Sequence, residues 1–191
     1  MKIVPTEKPA DFRVSSEIWS SFAGAAKFCR ISGLGGLARF VQDAKVTREG
    51  EALKASDIPG WNWFDERVFT MMRERAKAEL RAQSRSLKPG VPLRAYVGLY
   101  MRLCLRQDLA VSKDWNEFDR YLVLSLRPQD SIVALVGRIA PQPAYSDKYA
   151  GRLPAGLKMI QLPGGDQQFI VDFNCSLNHS ARPRVLGPFP F

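Results

Sequence analysis

Tyr121-Leu122-Val123-Leu124-Ser125-Leu126, then Arg127-Pro128-Gln129-Asp130, then Ser131-Ile132-Val133-Ala134-Leu135-Val136 read as strand, turn and strand. The flanking runs are short, aliphatic and partly β-branched, and the four residues between them carry the Pro and Asp of a turn. The same grammar continues downstream. Leu157 to Leu162 is a predicted third strand, Pro163-Gly164-Gly165-Asp166 a turn, and Gln168 to Phe173 a fourth strand. Pro141 to Pro154 is a predicted loop of the length that often carries function. The tail, with Pro183, Pro188 and Pro190, shows no regular pattern.

Upstream the periodicity changes. Residues 1–14, with Pro5 and Pro9, form a predicted extended arm. Ile18, Phe22, Ala25, Ala26 and Cys29 recur at helical spacing behind a possible Ser15 or Ser16 cap. The pattern breaks at Ser32-Gly33-Leu34-Gly35-Gly36 and resumes as a short predicted helix through Leu37, Phe40 and Val41. A longer helix is expected over 62–86, with Asn62 as N-cap and an apolar stripe of Phe64, Val68, Met71, Met72, Ala76 and Leu80. Its other face carries Arg67, Arg73, Lys77, Arg81 and Arg85. Residues 92–107 fit either alternation or helical spacing, and their unbranched Leu/Met/Arg composition favours a helix. The expected class is α+β: a helical N-terminal region, 1–110, followed by a mostly antiparallel β-sheet in a strand-rich region, 111–191, as two parts or one compact domain.

With 46% hydrophobic residues the chain can bury a core. A net charge of +9 suits solubility or an anionic partner: nucleic acid, a phosphate-bearing small molecule, a membrane surface or an acidic protein. The Arg face of the 62–86 helix is the candidate surface for nucleic acid or an acidic partner. Trp19, Trp61 and Trp63 are the candidate anchors if the chain belongs to a secretion or assembly complex. Three scattered cysteines and a single histidine, His179, give no metal-ligand cluster and little material for His-based catalysis. No apolar run reaches membrane-spanning length, and the N-terminus lacks a signal-peptide stretch. The expected location is cytoplasmic, or outside by a dedicated secretion system. Gly33-Leu34-Gly35-Gly36-Leu37-Ala38 has the letters of a dinucleotide fingerprint, but its flanks read as helix, so it is taken as a link between helices. Asn178-His179-Ser180 is a sequon expected to be unmodified.

The back half holds one chemical constellation. Val136-Gly137-Arg138-Ile139-Ala140-Pro141-Gln142 follows the second strand, and Leu162-Pro163-Gly164-Gly165-Asp166-Gln167-Gln168-Phe169 comes later. Over residues 119–173 this order resembles the C-terminal part of tuberculosis-necrotizing-toxin-type NAD glycohydrolases, secreted toxins with an ADP-ribosyltransferase-like fold. The resemblance implies a toxin or effector acting on NAD as substrate, without metal, by hydrolysis or ADP-ribosyl transfer. It implies Gln168 as the catalytic residue and a substrate site around Gly137, Gln142, Gly164 and Gly165. An acidic immunity protein or chaperone is the partner it suggests. Cleaving a nicotinamide–ribose bond passes through a cationic centre, and a neutral amide such as Gln168 can position a ribose hydroxyl or water. Arg138 or Arg152 would hold the pyrophosphate, and Tyr145 or Phe169 would stack on a ring.

Overall fold

The structure is a computed structural model, and it describes residues 1–41, 62–83, 90–110, 120–144, 161–181 and 184–188. In chain order the elements are β1 (Lys2–Pro5), α1 (Ser16–Ser20), β2 (Lys27–Ser32), β3 (Gly35–Val41), β4 (Asn62–Asp65), α2 (Glu66–Ala82) and α3 (Leu93–Asp108). Then come β5 (Arg120–Leu126), β6 (Ser131–Arg138), β7 (Gln142–Pro143), β8 (Gln161–Leu162), β9 (Gln167–Ile170) and β10 (Arg184–Pro188). Among the described residues, eight strands form one sheet in the order β1-β2-β6-β9-β4-β3-β5-β10, and β7 pairs with β8 apart from it. The pairings are antiparallel.

That sheet folds over on itself. Only Gly33 and Leu34 join β2 to β3, although the two strands stand four places apart in the order. Three Cα steps reach at most about 11 Å, whereas four places across a flat sheet span about 19 Å. The link Arg127 to Asp130 makes the same crossing from β5 to β6. The two corners lie side by side, because Ser32 pairs with Ser131 in one layer and Gly35 with Leu126 in the other.

Among the described residues, alternation then sorts the buried side chains between the layers and onto two outer faces. Leu37, Trp63, Leu122, Leu124, Ile132, Ala134, Phe169 and Val171 meet between the layers. Ala38, Phe64 and Val123 face outward and are covered by Phe69, Met72, Ala76 and Leu80 of α2 and by Val97, Met101 and Leu105 of α3. On the other outer face Val133, Leu135 and Ile170 lie under Phe12, Phe22 and neighbouring residues of the 12–28 segment. Strand β6 reads as unbroken hydrophobic sequence because both its faces are buried.

The α+β class holds, with a mostly antiparallel sheet, but the helical N-terminal region does not. The first element is a strand, and the front of the chain supplies β1 to β4 of the same sheet that β5, β6, β9 and β10 complete. The helix expected from Ser15 stops at Ser20, and Lys27–Ser32 is a strand with Cys29 and Ile31 inside. Leu37, Phe40 and Val41 belong to β3, not a helix. The Gly33–Ala38 run is therefore a corner between strands, without the helix a dinucleotide site needs. Gly36 there makes room for Glu66, whose Oε2 would lie 2.1 Å from an added Cβ.

Helix α2 starts later than expected. Asp65 is its N-cap, accepting from the Arg67 amide at 2.9 Å, and Asn62 belongs to β4. Met71 is exposed, unlike the rest of its predicted stripe. Residues 93–108 are a helix, as their composition suggested. The tail contributes β10, paired with β5. Of the third predicted strand, Leu157 to Ile160 lie outside the described residues, and Gln161–Leu162 pair with β7.

Candidate functional site

The two glycine-bearing segments come together because β6 and β9 are neighbours, with Gly137 opposite Gln168 and Arg138 opposite Gln167. Beyond the ladder the turn folds back: Ile139 donates to the Asp166 carbonyl at 2.9 Å, and Gly165 donates to the Ile139 carbonyl at 2.9 Å. Gly164 has φ 64°, and a Cβ there would stand 2.8 Å from the Ile139 carbonyl oxygen. A side-chain-bearing residue would be both strained and crowded at this turn.

Gly137 serves a different end. A Cβ on it would lie 2.5 Å from Phe22 Cδ1 and 3.0 Å from the Ala26 Cβ. The bare backbone lets Phe22 settle on β6, forming a bridge with Ile139, and this brings the end of α1 over the sheet. Ala23 donates to the Arg138 carbonyl at 2.8 Å and Ala140 donates to the Ser21 carbonyl at 2.9 Å.

Gln168 locks this arrangement. It is 3% exposed. Its Nε2 donates to the Ser21 carbonyl at 3.0 Å and to Ser21 Oγ at 2.9 Å, and its Oε1 accepts from Asn62 Nδ2 at 3.3 Å. Ser21 Oγ in turn donates to the Ile18 carbonyl at 2.7 Å. Both amide protons of Gln168 are spent, and Oε1 keeps one acceptor position.

Beside this lock lies a cavity of about 290 Å³, lined by Glu17, Ser20, Ser21, Asn62, Leu109, Ala110, Ile139, Gln142 and Gln168. That volume sits near the lower end of the roughly 300–1,000 Å³ typical of ligand pockets. The cavity opens where α1 meets the C-terminus of α3. Ala110, two residues past the end of α3, adopts φ 46°, a left-handed conformation usually left to glycine. Glu17 is the charged group among the described lining residues. Hydrogen bonds from Ser15 and then from its own backbone amide hold its carboxyl below the ordinary range, so it is ionised at neutral pH.

Gln142 and Gln168 thus share the cavity, and Gly137, Gly164 and Gly165 shape its surroundings without lining it. Arg138 is exposed at the end of β6 and does not line it. Phe169 is fully buried between the sheet layers, on the opposite face of β9 from Gln168, so it packs the core instead of stacking on a ligand. Tyr145 and Arg152 lie outside the described residues. The sequence reading missed Glu17, Ser20, Ser21, Asn62 and Ala110. Glu17 followed a capping serine and Asn62 looked like a helix cap, so both had ordinary local explanations.

Trp63 is buried in the core, Trp19 is half exposed, and Trp61 lies outside the described residues. Asn178 of the sequon is buried, and its amide donates to the Val133 and Asp172 carbonyls. Among the described residues no cluster of His, Cys, Asp and Glu could hold a metal, and no helix is long and apolar enough to cross a membrane. No family model matches the chain, and no curated protein or solved structure matches it either.

Proposed function

We propose that the Glu17–Gln168 cavity is the active site of an enzyme that cleaves the nicotinamide–ribose bond of NAD. The observation that supports it is convergence. The segments Gly137–Gln142 and Gly164–Phe169 meet in space, and the cavity beside them adds an ionised carboxylate.

The chemistry suits that lining. The C1′–N bond breaks with its electron pair leaving on nicotinamide, and positive charge develops at C1′. Glu17 stabilises that charge electrostatically. Water attacks C1′ and loses its proton to Glu17 or solvent, leaving ADP-ribose, or another acceptor takes water's place. The free acceptor position on Gln168 Oε1 takes a ribose hydroxyl, so Gln168 both positions the substrate and holds the α1 end in place. Gln142 and Asn62 offer neutral amides to the carboxamide of nicotinamide. The pyrophosphate extends beyond the cavity.

The test is incubation of purified protein with NAD and measurement of nicotinamide and ADP-ribose. Release by the wild type and its loss in Gln168→Ala is the expected pattern. No release, or equal release by the variant, overturns the proposal.

A further inference from the structure

Arg39 sits apart from this cavity. It stands two residues from Leu37 on β3, so its side chain turns to the same inner face of the folded sheet, toward the end away from the corners. Its Nη1 donates to the Asn62 carbonyl at 3.1 Å. Its Nε is buried and has no hydrogen-bond partner among the described residues. The β3–β4 pairing, Leu37 with Asp65 and Ala38 with Phe64, continues to set Arg39 beside Trp63. The Trp63 indole N–H is likewise buried without a partner among the described residues.

Two orphaned donors on adjacent strands and one inner face are unusual, since buried donors are nearly always paired. One of them belongs to a cation. Burial pushes the Arg39 guanidinium down to about 10, and among the described residues no opposing carboxylate offsets that effect. A half-buried arginine without a counter-anion weakens a fold instead of supporting it. Such a group is explained if it waits for an anion.

We propose that Arg39, with the Trp63 indole N–H as second donor, forms an oxyanion-binding site for a phosphate or carboxylate group. The guanidinium fork offers the geometry such groups take, and partial burial strengthens the contact. The site lies on the opposite side of β4 from the Gln168 cavity and does not depend on its reading. Another groove, beside Ala10, Asp11, Arg13 and Asn174, is a weaker candidate. Its carboxylate is already engaged, because Asp11 accepts from the Ser176 amide and the Cys175 thiol.

The experiment titrates the full chain with inorganic phosphate, and separately with acetate, against chloride at matched ionic strength. Melting temperature and the Trp63 indole N–H resonance are followed. At ten times Kd the wild type is expected to gain about 3–6 °C, with a saturable shift of that resonance. Arg39→Met should lose both responses while melting no lower than the wild type without anion. The stronger arm, phosphate or acetate, tells a phosphoryl ligand from a carboxylate ligand. No response in the wild type, or the same response in Arg39→Met, overturns the proposal. So does a variant that melts well below the wild type without anion, because Arg39 would then be a paired structural group.

Discussion

An alanine at position 137 would place its Cβ 2.5 Å from a Phe22 ring carbon. Neither the ring nor the strand beneath it can move away cheaply. Gly137→Ala is therefore expected to cost about 1–3 kcal/mol, the usual penalty for overpacking. The measurement is the denaturant midpoint, and an unchanged midpoint would mean that Phe22 does not rest on β6. At this scale the sequence showed that glycines clustered, not why. Gly137 reads like a substrate-site glycine until the partner that needs its space, 115 residues upstream, is known. Asp166 belongs to the same turn. Burial, and then the Asp108 carboxylate, raise its carboxyl above the ordinary range. A raised carboxyl supports the fold while protonated. That support is complete below the unfolded value, about 3.9, and is lost as pH rises through the folded value. Asp166→Asn should thus raise the melting temperature at neutral pH, with the gain shrinking as pH approaches 4. A gain independent of pH would contradict this.

Helix α3 shows how an element can satisfy two patterns. Val97, Leu99, Met101, Leu103 and Leu105 alternate as on a strand, yet Val97, Met101 and Leu105 are buried while Leu99 and Leu103 are exposed. Met101→Ala is expected to cost about 2–5 kcal/mol, whereas Leu103→Ala should stay within about 0.5 kcal/mol. Equal costs, read from urea unfolding, would favour the strand. Strand β2 is the converse case. Phe22, Ala26 and Cys29 have helical spacing, but Gly24 has φ 91°, and the alternation of Cys29 and Ile31 against Arg30 governs the strand. The helical match came from residues on either side of a bend, each packing for its own reason. Short apolar runs do not distinguish the two periods locally. Tertiary pairing with β1 and β6 settled this one.

Across the molecule, the split between a helical front and a β back gives way to interleaving. Two tight corners carry paired strands from layer to layer, and each layer takes strands from both halves of the chain. The β5 and β6 strands were legible because their residues are apolar on consecutive positions. Their failure to pair with each other was not, because four intervening residues look the same in a hairpin and in a crossing. Much of the basic surface of α2 is already engaged: Arg67 with Asp65, Arg73 and Lys77 with Glu74, and Arg75 with Glu79. These exposed pairs add little stability, but they reduce the positive field that nucleic acid would meet. That favours the cavity over the helix face as the seat of function. Two of the nine described lining residues, Gln142 and Gln168, were visible in the sequence. Glu17 and Ser21 arrive from the far end of the chain through the lock on Gln168. The most direct measurement is the rate of nicotinamide release from NAD by the wild type and by Glu17→Gln, at equal melting temperature. Glu17 is exposed and its carboxylate helps no core contact, so the fold should survive. Release by the wild type, slowed about 10²-fold or more in the variant, is the expected result. Absence of release, or an unchanged rate in Glu17→Gln, would contradict the assignment.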